Sequence, residues 1–249
     1  MSARHPRPSL SPEQLTCAWQ SASLLLGYPD DRLLHEDIPL VRAAATTLPT
    51  RLRAPLTRVA DHLAATPLQE SQAAYVETFD NRRRCNLYLT YFAHGDTRKR
   101  GVALLRFKQT YLRSGFRLEE SEELPDHLCV VLEYAATVDQ KLGWGLLLDH
   151  RAGLELLRMA LAEDDSPWAG AMEAICATLP PLRGDEHEAV IRLAADGPPA
   201  EEVGLTPYGT PAFDATLAAA TGKAPPNDLP TPTMPTTPPT QADTRGARA

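Results

Sequence analysis

Residues 75–115 read YVETFDNRRRCNLYLTYFAHGDTRKRGVALLRFKQTYLRSG, and the fold turns on what the middle of this stretch becomes. Leu87 to Phe92 has the composition of a β-strand. No other segment offers the period-two alternation of a partner strand, and an isolated strand is unstable. The run therefore reads as a short helix or an ordered loop. Its flanks are helical. Tyr75 and Phe79 fall on one helical face. Gly95-Asp96-Thr97 is read as the start of a helix reaching about Ser114, with Ala103, Leu104, Phe107, Tyr111 and Leu112 on its apolar side and Gly115 as its stop.

The same grammar extends outward. Ser11-Pro12-Glu13-Gln14 is a capping box with proline at the first helical position, followed by Leu15, Ala18, Trp19, Ala22, Leu25 and Leu26. Further helices are expected over roughly 38–47, through Leu52, Leu56, Val59 and Leu63, and from Leu68 to Phe79. Pro125 is expected to start another, with Leu128, Val131, Leu132, Ala135 and Leu142 as its stripe and Gly143 as its stop. Others are expected over roughly 146–162, from Ser166-Pro167 to Leu179, and from Asp185 to Gly197. The expected fold is an all-α single bundle over 11–196, preceded by a flexible N-terminus (1–10). A proline-rich extension with a short helix follows (197–222), then a disordered proline-rich tail (223–249).

Composition bounds the rest. The chain has 249 residues, 43% of them hydrophobic, enough for one self-sufficient core. No apolar run approaches the ~20 residues of a membrane span, and the N-terminus lacks the apolar core of a secretion signal, so a cytoplasmic protein without membrane insertion is expected. Cys17, Cys85, Cys129 and Cys176 are scattered, with no pairing or zinc spacing. Net charge is −7, but residues 82–117 carry +9 and the remainder −16. Such a chain can steer partners of opposite sign to different faces, or neutralise the basic segment internally.

Enzyme chemistry finds little support. The sequence has no G-x-S-x-G, H-E-x-x-H, P-loop or G-x-G-x-x-G motif. Asp126 and His127 have no neighbouring nucleophile, and Cys85 and Cys129 no histidine partner. Glu123-Leu124-Pro125-Asp126-His127 reads as a loop-to-helix junction. There Asp126 is either a helix-start charge or, with Glu123 and His127, a grip on a bound segment. The aromatics Tyr75, Phe79, Tyr88, Tyr91, Phe92, Phe107 and Tyr111 are either core or the wall of a groove for an amphipathic helix. The arginines 82–84 and Arg98-Lys99-Arg100 are either ion-paired to acidic helices or a contact surface. A nucleic-acid reading lacks any accompanying motif.

Tyr75 to Asp80, Leu87 to Tyr91, Gly95-Asp96-Thr97-Arg98, Arg100-Gly101 and Leu124 to Leu128 together resemble the NarJ family, the assembly chaperones of respiratory nitrate reductase (its delta subunit). The likeness spans roughly 11–196 and is more distant from the wider TorD-type molybdoenzyme chaperones, in whose pattern Thr78 is usually Leu and Pro125 falls one place earlier. The resemblance implies a cytoplasmic helical chaperone without turnover, itself holding no cofactor or metal. It would bind the N-terminal segment of the nitrate reductase catalytic (alpha) subunit and keep it open for molybdenum cofactor insertion before membrane docking. Molybdenum cofactor biosynthesis proteins are further candidate partners, and nucleic acid is not. The expected client contacts are Tyr75, Phe79, Tyr88, Tyr91, Arg98, Phe107, Tyr111, Glu123, Asp126 and His127. A charged His127 in that contact would make affinity pH-dependent across pH 6–8. The competing reading is a helical scaffold or regulator that uses the basic 82–117 segment on acidic partners or nucleic acid.

Overall fold

Helix α1 (Pro12–Leu25) begins as its sequence dictates: Gln14 N donates to Ser11 Oγ at 3.2 Å and Ser11 N to Gln14 Oε1 at 3.0 Å. The structure, a computed structural model, describes residues 10–95, 97–118, 123–182 and 184–196. Among these residues there are eleven α-helices and no strand, only one isolated antiparallel bridge. The readings for 197–222 and 223–249, including the short helix, lie outside the described residues.

The apolar face of α1 is the centre of the core. Trp19 is fully buried, and its indole N–H is satisfied by Thr178 Oγ1 at 2.9 Å. Around α1 pack α2 (Ile38–Ala45), α3 (Thr50–Ala65), α7 (Leu128–Thr137) and α10 (Ala169–Thr178). Helix α4 (Leu68–Tyr75) widens into a π-turn over Val76–Asp80, closed by Asn81 N donating to Val76 O at 3.1 Å. That turn sets Tyr75 and Phe79 against the buried Trp168, with ring centroids 5.5 and 5.4 Å apart. Leu87 to Phe92 is helical in the main: α5 (Leu89–His94) leads to α6 (Arg98–Arg113), which ends at Gly115 with φ +78°.

Two expected helices are broken in the structure. The stripe from Leu128 to Leu142 is not one helix. The chain breaks at Val138-Asp139, and Asp139 Oδ1 accepts from Leu142 N at 2.8 Å to cap α8 (Gln140–Asp149). Gly143 is therefore no stop but an interior residue of α8. A Cβ there would lie 2.3 Å from Ala135 Cβ, so glycine lets α7 and α8 meet backbone to backbone. The expected 146–162 helix is likewise split at His150, between α8 and α9 (Arg151–Glu163). Helix α11 (Gly184–Asp196) packs on α9.

Candidate functional site

Leu87-Tyr88-Leu89 and Asp126-His127-Leu128 meet through their backbones. Leu89 N donates to Asp126 O at 3.0 Å and Leu128 N to Leu87 O at 2.8 Å, the rung of the Tyr88–His127 bridge. The loop before α7 is thereby clasped to the start of α5. Asp126 is not in the first turn of its own helix, as the sequence suggested. Pro125-Asp126 forms a turn, and helix α7 starts at Leu128. Asp126 instead caps the neighbouring helix: its Oδ2 accepts from Thr90 N at 3.1 Å and from Thr90 Oγ1 at 2.5 Å. Arg100 Nη2 lies 3.9 Å from the same oxygen, and Arg100 Nε donates to Thr90 Oγ1 at 3.2 Å. With Asp126 and Thr90 both at 0% exposure, this is a buried charge held by its counter-ion and its hydrogen bonds. The Arg100 guanidinium also sits 5.1 Å from the Tyr88 ring centroid.

The expected aromatic wall divides. Phe107 and Tyr111 are 2% and 1% exposed and belong to the core. Tyr111 donates its hydroxyl to Pro125 O, which lets the ring bury without an orphaned donor, and it packs 4.5 Å from Tyr134. Tyr91 is buried too, beside Phe92. These three, with Asp126, support the site from behind and are not accessible to a bound segment. Arg98 opens α6 on an exposed face and does not line the trough.

The other rings do line an opening. A trough of 400 Å³ has Tyr75 and Phe79 in its floor and Tyr28, Tyr88 and His127 in its walls, with Asp80, Glu123 and Glu133 among its lining. The three carboxylate residues are exposed. Tyr28, 51% exposed, stacks edge-on to Tyr75 at 5.4 Å, and Tyr75 donates to Leu26 O at 3.0 Å. Tyr88 donates its hydroxyl to Glu123 Oε1 at 2.7 Å, and its ring meets His127 at 5.2 Å.

Burial works to raise the Glu123 carboxyl, but the hydrogen bonds from Tyr88 and the Leu124 N–H, with His127 nearby, hold it below its ordinary value. Burial pushes His127 down, against the pull of Glu123 and Asp126, so the ring is neutral at pH 7. A client contact that depends on pH across 6–8 requires the charged ring, and burial disfavours that form. Burial lifts the Tyr88 and Tyr75 phenols, and no phenolate forms. Cys129, also on the trough, is pushed up to about 12 by burial, as is Cys176. Neither is a thiolate nucleophile. No metal-holding cluster of His, Cys, Asp or Glu exists among the described residues.

Tyr28 was missed in the sequence because Gly27-Tyr28-Pro29 reads only as a turn. Arg100 and Thr90 were within the quoted motifs, but nothing local signalled that they lock Asp126. Of the basic segment, Arg82 reaches Asp164 at 2.7 Å and Arg84 reaches Glu163 at 2.8 Å, so part of it is neutralised internally.

The chain is similar to known proteins. It is 43% identical over 163 residues to the nitrate reductase-like protein NarX of Mycobacterium tuberculosis, covering 64% of this chain but only 24% of that longer protein. It is 32% identical over 162 residues to the probable nitrate reductase molybdenum cofactor assembly chaperone NarJ of Bacillus subtilis, covering 65% of this chain and 87% of the relative. With the NarJ assembly chaperone of Escherichia coli K12 it shares 34% over 149 residues, 59% of this chain and 63% of the relative. A solved Archaeoglobus fulgidus chain described as a candidate redox enzyme maturation protein superposes with a TM-score of 0.50 at 24% identity, covering 70% of this chain and 97% of the other, a likeness of fold. The family model described as nitrate reductase delta subunit matches residues 45–174, more than half of the chain and all of the clasped site, and the chain belongs to that family.

Proposed function

We propose that the chain is a molybdenum cofactor assembly chaperone for a nitrate reductase, working in the cytoplasm and catalysing no reaction. It binds the N-terminal segment of the catalytic subunit and keeps that subunit receptive to its cofactor until insertion is complete, before the enzyme docks at the membrane. The observation that supports this most is the open trough with an aromatic floor and an acidic lining, built from both motif segments at once. An amphipathic helix would seat its apolar anchors on Tyr75, Phe79 and Tyr28 and set cations against Asp80, Glu123 and Glu133. The relatives named as assembly chaperones are consistent with this role.

Calorimetric titration with the catalytic subunit's N-terminal peptide tests it. Affinity near about 1 μM, some −8 kcal/mol, is expected. Glu133→Lys, an exposed change that should leave folding intact, is expected to weaken it by about tenfold through like-charge repulsion. Folded wild-type protein that shows no heat with the peptide would overturn the reading.

A further inference from the structure

Helix α6 has two apolar faces, and among the described residues only one is buried. Ala103, Phe107 and Tyr111 point into the core. On the opposite side Val102, Leu105 and Leu112 are 60%, 55% and 53% exposed. With Arg98 and Gln109, also exposed, they fall at spacings of four, three, four and three residues. On a helix of 3.6 residues per turn these positions lie within about 40° of one line. That is the spacing of a two-helix coiled-coil seam, with Val102, Leu105 and Leu112 as its apolar positions, Gln109 as a polar residue between them that can fix register, and Arg98 as a charged residue at its N-terminal end.

The residues bordering the seam settle its sign. In heptad terms they are Lys99, Gly101, Arg106, Lys108 and Arg113, so every charged border position is a cation. All four cations are exposed. Among the described residues none of the four meets a carboxylate, whereas Arg82 and Arg84 on the same basic segment do. Gly101 carries a second signal. Glycine inside a helix costs stability, and among the described residues nothing beyond its chain neighbours and its own helix backbone lies within 4 Å of where a Cβ would be. No packing among the described residues explains it, and a bare backbone beside a seam permits close approach of another helix.

We propose that this outer face of α6 is a second docking surface, and that its partner is an α-helix with an apolar heptad seam flanked by carboxylates. A second copy of this chain is disfavoured, because a symmetric pairing of the two seams would oppose cation to cation. The surface is opposite in sign to the acidic trough, so the two faces select different helices. It does not depend on the trough's occupant.

The test uses the full chain and two synthetic three-heptad peptides with leucine at the seam, one bordered by glutamate and one by lysine. The glutamate peptide should bind, more weakly as salt rises, and the lysine peptide should not. Leu105→Ser should weaken the glutamate peptide by about tenfold, and Arg106→Glu with Lys108→Glu should exchange the preference between the two peptides. All these positions are on the surface, so circular dichroism should show an unchanged fold. Equal binding of both peptides, or indifference to Leu105→Ser, would overturn the proposal. So would self-association of the chain that Leu105→Ser abolishes. Tighter binding to anionic phosphatidylglycerol vesicles than to the glutamate peptide would replace the helix with a lipid surface.

Discussion

Asp126 and Glu123 are three positions apart in one loop and have opposite duties. Asp126 is fully buried, caps α5 and faces Arg100. Asp126→Ala removes the cap and a buried carboxylate that faces Arg100, so a loss of about 3 kcal/mol in a urea unfolding series is expected. Glu123→Gln removes a charge from an exposed rim residue and should leave stability nearly unchanged. His127 supplies a pH dependence. Its ordinary value is 6.5, and burial holds the folded-state value below that, against the attraction of Glu123 and Asp126. The unfolded chain therefore takes up the proton first. The contribution to stability is complete above about pH 6.5 and lost as pH falls below it. Glu123, also lowered when folded, adds to the loss only below its ordinary 4.5. Urea midpoints between pH 7 and 5.5 should decline more steeply for wild type than for His127→Gln, and equal slopes would show that the ring titrates alike in both states. The residue types that gather at the trough and its support were visible in the quoted motifs, but their orientation was not. Phe107 and Tyr111 have the same four-residue spacing as Tyr75 and Phe79, and spacing alone does not say whether the face they share meets the core or the trough.

At the level of helices, the sequence was most readable where capping and apolar periodicity agree, as at Ser11 to Leu26. It misled where one residue type serves two purposes. Gly143 was read as a helix stop, since glycine commonly follows a last turn. Its actual reason is distant: Ala135, across the α7–α8 contact. Gly143→Ala should cost at least about 2 kcal/mol by forcing two backbones apart. Gly101→Ala, a like change on the open face of α6, should instead stabilise by about 0.5–1 kcal/mol. Thermal unfolding of the two variants is expected to move in opposite directions. The break at Val138-Asp139 was hidden because the apolar stripe runs on through it, and only the Asp139 cap, a side chain folding back on Leu142 N, marks a new start.

Over the molecule as a whole, the charge asymmetry visible in the sequence becomes a separation of surfaces. The acidic remainder contributes Asp80, Glu123 and Glu133 to the trough, and the basic segment puts a row of exposed cations, Lys99, Arg106, Lys108 and Arg113, on α6. The helical class was legible because no stretch could pair as a sheet. Tertiary proximity was not, because the two motif segments that meet are almost forty residues apart and share a single backbone rung among the described residues. That rung gives the protein a built-in reporter. Among the described residues, two amide protons, those of Leu89 and Leu128, tie one bank of the trough to the other through the main chain. Their exchange with deuterated solvent should be slow while a guest spans both banks and quicken once it departs, so occupancy becomes readable without labelling the guest.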